Sequence, residues 1–394
     1  MGTLYITAGK MVDGISDTVI QNPQLLIEED TITVMGNLSA DPRTEKAYHL
    51  DFGNNFICPG LIDAHVHIMG IHTDFSAGQL VVRGTANLRE ALQAGITTVR
   101  DCGGRSDVLF PLKEGVSSGL VEGPSIIISG EPVTTTGGHF HYIGIEAEGK
   151  TEVLKAVRSL CKRGVDFIKV MATGGGSTPG TNIRQSQFTQ EEFEAMASDA
   201  HRLQRKITAH AHGIEGIRRV VSAGFDGIEH CSWISSTGEG IHYDPRIAEK
   251  MNKQGMVVCR TIQGSERWAI EELGEEHPGW TVYEPFRRMV SDGINLIAGT
   301  DAGMEVTDFK GLHQALETMT GLGGMTSRQA FRSATSRSAE LLGLENTGSI
   351  REGNAADLII LEGNPEEDIR YLRNILGVVS KGRIRHLRKG VLKR

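Results

Sequence analysis

Two histidines, His65 and His67, occupy alternate positions of the stretch DAHVHI, which follows the apolar turn CPGL. In a β-strand, alternate side chains point to the same face, so both imidazoles would lie side by side. Because burial of two unpaired imidazoles is costly, a bound cation is one explanation for the pair. Histidine is a common nitrogen ligand for zinc-like ions. The motif also occurs for structural reasons, so further ligands must come from elsewhere in the chain.

Further residues of ligand type lie at the ends of other apolar stretches. They are Lys169 in DFIKVMAT, His210 and His212 in TAHAHG, His230 in IEHCSW, and Asp301 in AGTDAG. A single buried histidine or aspartate would mean little, since most are satisfied core residues. Each of these positions would alone carry the cost of a buried polar group. With His65 and His67, such residues lie at the ends of five of the eight predicted strands, and this recurrence predicts a metal site.

Lys169 is the unexpected member of this set, because a protonated lysine beside a divalent cation would be repelled. A lysine amine that is neutral in an apolar interior can add carbon dioxide. The resulting carbamate is an anionic oxygen ligand that can bridge two metal ions. The alternative is a lysine that forms an ion pair with a carboxylate inside the fold. The surrounding ligand types favour a carboxylated Lys169.

The elements that would position these residues alternate between short apolar strands and amphipathic helices from residue 62 onward. Helical patterns such as EVLKAVRSLCKRG and QEEFEAMASDAHRLQ separate the strands. The predicted strands are IDAHVHI, TTVRDCG, SIIISG, FIKVMAT, ITAHAHG, GIEHCSW, MVVCRTI and NLIAGTDAG. Repeated βα units predict an α/β fold, and eight units in this length fit a closed (β/α)₈ TIM barrel. The alternative is an open doubly wound sheet, which would usually carry a glycine-rich phosphate turn after its first strand; that turn is absent.

Both ends of the chain have a different character, with short β-type segments between Gly, Asn and Asp turns. We therefore expect residues 1–56 and 350–394 to form one small β-sandwich from both chain ends. Residues 57–349 would form the barrel. In such barrels the active site lies at the carboxyl ends of the strands, where the ligand-type residues also lie.

Composition excludes several classes of function. The net charge of −8 and the lack of a basic stripe in the body of the chain argue against a nucleic-acid partner. No apolar run reaches the ~20 residues of a membrane span, and the first residues do not resemble a signal peptide. The five cysteines are scattered and form no C-x-x-C, which favours free thiols and a cytoplasmic location. The sequence leaves open whether the chain forms a homo-oligomer.

The combination of PGLIDAHVH, the fourth-strand lysine, the fifth- and sixth-strand histidines and GTDAG resembles the amidohydrolase superfamily of the binuclear type. The closing segment GSIREGNAADLIIL resembles that superfamily's carboxyl-terminal β segment. The stretches VDFIKVMATGG, ITAHAHGIEGI and GFDGIEH are similar to one branch. That branch holds Xaa-Pro and Xaa-Arg dipeptidases, zinc carboxypeptidases and ochratoxin amidases.

The resemblance implies a binuclear centre with two divalent ions, most simply Zn²⁺. His65, His67 and Asp301 would bind the more buried metal, and His210 and His230 the outer one. Carboxylated Lys169 and a hydroxide would bridge the two metals. The resemblance favours His210 over His212 as a ligand, because the first histidine of the matching HAHG motif is the family's ligand. Periodicity alone leaves the two open, since both face the same way.

A mechanism follows from these roles, and the residues at strand ends and in the loops provide a set of candidate substrate contacts. Two cations would activate the water, and Asp301 would carry its proton to the leaving amine. His139, in the loop TTTGGHFHYIG, would donate to the developing oxyanion. His139, Tyr142 and His212 would contact substrate, and Arg260 would hold a substrate carboxylate. The bland alternatives are a polar loop without chemistry for His139 and a surface position for Arg260.

The predicted function is metal-dependent hydrolysis of an amide or peptide bond in a small N-acyl amino acid or dipeptide-like substrate. The loops HFHYIG and GGGSTPGTNIRQSQ depart from the relatives' pattern, which puts the substrate in doubt. An alternative is a lactone or carbamate hydrolase, or a deaminase of an N-heterocycle, on the same metal site. A non-catalytic scaffold is a remote alternative, because such relatives typically lose ligands and no expected ligand is missing here.

Overall fold

The computed structural model describes residues 2–72, 74–237, 240–262, 270, 272–276, 280–304 and 307–393. The amino-terminal segment contributes seven short strands before the first barrel strand. These are β1 (Leu4–Thr7), β2 (Lys10–Met11), β3 (Ile20–Gln21), β4 (Gln24–Glu28), β5 (Thr31–Met35), β6 (Tyr48–Asp51) and β7 (Phe56–Pro59).

The central part of the chain alternates strands with helices. Its strands are β8 (Leu61–Val66), β9 (Ile96–Asp101), β10 (Ser125–Ile128), β11 (Val133–Thr134), β12 (Ile145–Glu146), β13 (Phe167–Met171), β14 (Lys206–Gly213), β15 (Gly227–Ile234), β16 (Val257–Thr261) and β17 (Asn295–Gly299). The helices are α1 (Ala77–Gln93), α2 (Ser106–Ser117), α3 (Gly149–Arg163), α4 (Gln190–Arg202), α5 (Ile214–Ser222), α6 (Pro245–Gln254), α7 (Trp280–Ser291), α8 (Leu312–Gly321), α9 (Ser327–Ser333) and α10 (Ser336–Leu342).

The parallel strands close into a barrel. Strands β8, β9 and β10 pair in one sheet, and β13 to β17 pair in chain order in another. The Asp166 amide donates to Ile128 O at 2.9 Å and joins the two sheets on one side. The Asp301 amide donates to His65 O at 2.9 Å and joins them on the other. These contacts confirm the predicted α/β fold of the TIM-barrel type. The extra strands β11 and β12 lie in the segment between β10 and α3.

Local sequence signals explain where the helices begin and end. At the start of α4, the Thr189 side chain accepts from the Glu192 amide, and the Glu192 carboxylate accepts from the Thr189 amide at 2.7 Å. This reciprocal capping box satisfies two amides that the helix leaves unpaired. Helix α3 ends at Gly164, whose φ of +87° is a left-handed conformation that glycine adopts without strain.

The two ends of the chain meet in two further sheets. The carboxyl-terminal strands are β18 (Leu358–Leu361), β19 (Gly377–Ser380) and β20 (Arg383–Leu387). One sheet has the order β5-β4-β1-β6, and the other has the order β20-β19-β18-β7-β2-β3. Apolar side chains from both sheets pack in one buried cluster that includes Ile6, Leu25, Ile57 and Leu358. The division into domains at residues 56 and 350 stays a prediction.

Candidate metal centre at the carboxyl end of the barrel

A cavity of about 400 Å³ opens at the carboxyl ends of the barrel strands. It brings together ligand-type side chains from five strands and from the loop after β11. Its polar lining includes His65, His67, His139, Lys169, His210, His212, His230, Arg260 and Asp301. Of the residues predicted to form the site, Tyr142 alone is not on the wall of this cavity, and its ring packs against Phe140.

One group of donor atoms within the cavity belongs to His65, His67 and Asp301, and these atoms lie within 4.8 Å of one another. Asp301 Oδ1 is 3.3 Å from His65 Nε2 and 3.4 Å from His67 Nε2. Asp301 adopts a left-handed φ of +63° directly after β17. Gly303 follows it closely, and a Cβ there would collide with the backbone oxygen of His67. The turn after β17 therefore has to contain a glycine to reach this position.

In both histidines of this pair, the ring nitrogen Nδ1 is hydrogen-bonded to another group of the protein. His65 Nδ1 lies 2.7 Å from Glu229 Oε2, and His67 Nδ1 lies 2.8 Å from Gly103 O. Because these acceptors hold the Nδ1 protons, the Nε2 lone pairs of both rings are available inside the cavity.

A second group of donor atoms, also within 4.8 Å of one another, belongs to His210, His212 and His230. His230 Nδ1 lies 2.7 Å from the Thr261 hydroxyl, and His212 Nδ1 lies 2.8 Å from the Ser232 hydroxyl. His210 is oriented the other way, because its Nε2 lies 3.1 Å from Gly174 O. His210 would therefore offer Nδ1 to a ligand, whereas His230 and His212 would offer Nε2. The geometry leaves both His210 and His212 close enough to His230 to contribute.

The unpaired atoms fit a bound cation. His65 Nε2 and Asp301 Oδ1 are buried and have no hydrogen-bond partner among the described residues. Unpaired polar atoms in an interior are costly, so such atoms indicate a missing partner. Two imidazole nitrogens and one carboxylate oxygen are the donor types that zinc prefers. The same atoms would hold other divalent ions of that size.

Electrostatics supports the same reading. Burial opposes ionisation of Asp301, yet the neighbouring His65 and His67 hold its pKa well below the usual range. Burial lowers the pKa of His65, but Cys102 and Asp301 outweigh it and hold that pKa well above normal. Both shifts indicate that this group attracts positive charge, which a divalent cation coordinated by His65 Nε2 and Asp301 Oδ1 would supply. Burial, followed by neighbouring histidines, lowers the pKa of both His210 and His230 well below 6.5. Both rings are therefore neutral, as metal ligands must be.

Lys169 lies on β13 and faces the same cavity, with only 1% of its surface exposed. No ion pair joins its ammonium to a carboxylate in the described part of the chain. The alternative of a lysine paired with a carboxylate inside the barrel therefore has no partner among these residues. Carboxylation itself stays a prediction.

His139 lies in the loop after β11 and stacks on Phe140, with ring centroids 4.4 Å apart. Its Nδ1 lies 2.9 Å from the Thr178 hydroxyl, and its ring centroid is 4.4 Å from that of His210. Burial, followed by the charges of His212 and Lys169, lowers the pKa of His139 to about 3. Gly175 faces this ring, and a Cβ there would collide with it.

Arg260 on β16 is 8% exposed and also borders the cavity. Its Nη1 donates to Thr261 O at 3.1 Å. Among the described residues, no carboxylate lies within ion-pair distance of this guanidinium. The surface position considered for Arg260 is therefore wrong, because the side chain is buried.

The sequence did not identify the residues whose hydrogen bonds orient the histidines, above all Glu229, Arg100 and Thr261. Their signal was present, because Arg100 and Glu229 are charged residues inside predicted apolar strands. Their contacts depend on which strands face each other across the barrel, which composition and periodicity do not specify.

The barrel, the cavity at its carboxyl end and the clustered histidines have the arrangement of an enzyme active site with candidate metal-binding groups. The model of the Amidohydrolase family matches residues 56–385. The chain therefore belongs to the amidohydrolase family and is a hydrolytic enzyme.

Several individual members of the family are similar to this chain over most of its length. Ochratoxinase of Aspergillus niger is 27% identical over 423 residues, which cover 93% of this chain and 83% of the relative. The crystal structure of a Xaa-Pro dipeptidase with bound methionine in the active site has a TM-score of 0.83 and 29% identity. It covers 97% of this chain and 99% of the other. Imidazolonepropionase of Deinococcus radiodurans is 23% identical, covering 90% of this chain and 88% of the relative. These similarities support hydrolysis of amide bonds.

The five cysteines are free thiols. Within the part of the chain that the structure describes, no helix is both long and apolar enough to cross a bilayer.

Proposed function

We propose that this enzyme hydrolyses the amide or peptide bond of a small N-acyl amino acid or dipeptide whose free carboxylate lies next to the scissile bond. The observation that carries the proposal is a buried guanidinium, Arg260, on the wall of the histidine cavity. Since this guanidinium has no carboxylate partner among the described residues, an anionic group of the substrate would form the ion pair with it. Ochratoxinase and the Xaa-Pro dipeptidase support a substrate with an amide bond.

The residues present fit two divalent metal ions, most simply Zn²⁺. His65, His67 and Asp301 would hold one, His210 and His230 the other, and carboxylated Lys169 would lie between them. When bound, such ions lower the pKa of water and polarise the scissile carbonyl. The following steps belong to the protein's own side chains.

Asp301 accepts the proton of the attacking water at a carboxylate oxygen and passes it to the leaving amine. Its depressed pKa keeps this carboxylate ionised before the attack. Asp301 is held on the cavity wall by its backbone bond to His65 and by the hydroxyl of Thr307, which donates to Asp301 O at 2.7 Å. General acid–base transfer of this kind contributes ~10²–10⁴-fold to rate.

His139 donates a hydrogen bond from Nε2 to the carbonyl oxygen as negative charge develops there. The Phe140 amide donates to Thr178 Oγ1 at 3.1 Å, and the Thr178 hydroxyl, 2.9 Å from His139 Nδ1, would donate to that nitrogen. That arrangement leaves the His139 proton on Nε2, facing the cavity. His212 would contact the substrate beside the metals, and Tyr142 would support the loop that carries His139.

The test measures kcat/KM for N-acyl amino acids and dipeptides and for their C-terminal amides, in the wild type and in Arg260→Met. A charged hydrogen bond contributes ~1.5–3 kcal/mol, so kcat/KM for the free acid should fall roughly ten- to a hundred-fold in the variant. Arg246→Met, which changes an arginine that is 95% exposed on α6, serves as the control.

Equal turnover of acids and amides by the wild type would mean that no carboxylate pocket exists. Hydrolysis of a lactone or carbamate, or deamination of an N-heterocycle, would then be the favoured reaction. If the wild type discriminates and Arg260→Met does so equally, another group recognises the carboxylate. The loop with His139, His141 and Tyr142 would be the next place to examine.

We also propose that the two end sheets form a β-sandwich domain of residues 1–56 and 350–394, beside a barrel of residues 57–349. The apolar cluster shared by both sheets supports this division.

A further inference from the structure

A buried polar network lies directly behind His65 and is not used by any step described above. Glu229 Oε2 accepts from His65 Nδ1 at 2.7 Å. Glu229 Oε1 accepts from Arg100 Nη2 and from the Thr208 hydroxyl, each at 2.7 Å. The four residues come from four different barrel strands, β8, β9, β14 and β15. Each side chain is almost completely buried, and Glu229 is 1% exposed.

Arg100 also fixes the backbone that carries His65. Its Nε donates to Ala64 O at 2.6 Å, one residue before the histidine. The guanidinium thus holds both the strand position of His65 and the carboxylate that orients the His65 ring. His67, by contrast, is oriented by the backbone oxygen of Gly103. Within this pair, His65 is therefore the ring whose orientation depends on a charged side chain.

His65, Glu229 and Cys259 also place donor atoms within 4.8 Å of one another, so a cation between them has to be considered. Both Glu229 oxygens already accept hydrogen bonds, and the Arg100 guanidinium lies against this carboxylate. Burial raises the pKa of the Cys259 thiol to about 12, so it does not ionise near neutral pH. This group therefore supports His65 rather than holding an ion of its own.

We propose that Glu229 is a positioning residue that sets the ring orientation and tautomer of His65, and thereby the affinity of the His65–His67–Asp301 group for its cation. The inference rests on the proposed function, because it assumes that this group holds a metal. A carboxylate that accepts from Nδ1 keeps the proton there and leaves the Nε2 lone pair for the metal. Partners of this type usually contribute about 10- to 100-fold to metal affinity.

The isosteric variant Glu229→Gln makes the proposal specific. The side-chain oxygen of Gln is expected to stay towards Arg100 and Thr208, because two donors converge there. Its amide group would then face His65 Nδ1 and donate to it. His65 would have to carry its proton on Nε2, which removes the lone pair from the cavity. One of the two metals should therefore bind about 10- to 100-fold more weakly.

The double variant Arg100→Met, Glu229→Gln separates positioning from general damage to the core. Without the guanidinium, the Gln amide can turn its oxygen to His65 and its nitrogen to the Thr208 oxygen. Metal affinity should then recover relative to Glu229→Gln alone, but only in part, because the Arg100 bond to Ala64 O is also lost. If Glu229 merely stabilised the fold, the second substitution would worsen the defect. The matched control is Glu317→Gln, which changes another buried carboxylate that pairs with an arginine, Arg373, on the helical layer.

The experiment measures metal stoichiometry and affinity by equilibrium competition with a chromophoric zinc chelator, together with thermal unfolding of each metal-free protein. The proposal expects wild-type affinity in Glu317→Gln, one weakened site in Glu229→Gln and partial recovery in the double variant. Wild-type affinity for both metals in a folded Glu229→Gln would overturn the inference and leave the proposed function standing. A wild-type protein that binds no metal would overturn both.

Discussion

At the residue scale, the candidate metal centre depends on which ring nitrogen of each histidine is hydrogen-bonded to the protein and which is left for a metal. His65 and His67 are fixed through Nδ1, whereas His210 is fixed through Nε2. These contacts prepare the lone pairs before any ligand arrives, so little reorganisation is needed on binding. Asp301 adds the only carboxylate to these rings among the described residues that line the cavity.

Asp301→Asn should leave the fold intact and reduce kcat by ~10²–10⁴-fold. Asparagine can still contribute a carbonyl oxygen to a metal, but it cannot accept a proton at neutral pH. Steady-state kinetics, with metal content and thermal unfolding as controls, measures the effect. A folded, metal-loaded Asp301→Asn enzyme with the wild-type kcat would show that another group carries the proton.

At the scale of elements, the loops after the strands decide how the chemistry is arranged. The glycine run after β13 leaves room for His139, which approaches from the loop after β11. Gly175 lies against the His139 ring, whereas a Cβ at the next position, Gly176, would meet no atom within 4 Å. The two glycines therefore offer a matched pair of substitutions.

Gly175→Ala should displace His139 and reduce kcat/KM by roughly 10- to 100-fold, since a shift of about 1 Å in a positioned group has effects of that size. Gly176→Ala should remain close to the wild type. Both variants should unfold at nearly the same temperature. Equal activity of the two alanine variants would contradict the position assigned to His139.

Sequence periodicity predicted the barrel strands well, because parallel strands buried on both faces are short apolar runs between turn residues. Periodicity does not describe β15, where strict alternation would place Glu229 and His230 on opposite faces. His230 and Cys231 have φ values of +67° and +50°, and this irregularity lets both Glu229 and His230 point into the barrel. Backbone irregularity of this kind has no signature in residue types. The positions of His139 and Arg260 were likewise predictable only as strand-end candidates.

At the scale of the whole molecule, polar contacts join both chain ends to the last helices of the barrel. Arg332 on α9 donates through Nε to Glu366 at 2.7 Å and through Nη2 to Ser16 O at 2.8 Å. Glu366 is buried, with 3% of its side chain exposed. One side chain thus connects an amino-terminal and a carboxyl-terminal segment to the barrel.

Arg332→Met should lower the free energy of unfolding by ~1.5–3 kcal/mol, because hydrogen bonds to a buried carboxylate are lost. The effect should appear in thermal unfolding without a change in kcat. Lys253→Gln is the control, since its partner Glu249 is 63% exposed and such surface pairs contribute ~0–1 kcal/mol. Equal unfolding temperatures of the two variants would mean that Arg332 does not hold the chain ends to the barrel.

The central claim is a centre of two metals that depends on Lys169, and metal analysis of the gently purified protein tests it most directly. The control variant is Lys206→Ala, which changes the lysine at the amino-terminal end of β14, away from the cavity. The wild type and this control should each retain near two equivalents of metal per chain. Lys169→Ala should lose metal and activity, and added short carboxylates should partly restore both. A Lys169→Ala protein with one tightly bound metal and full activity would contradict the account.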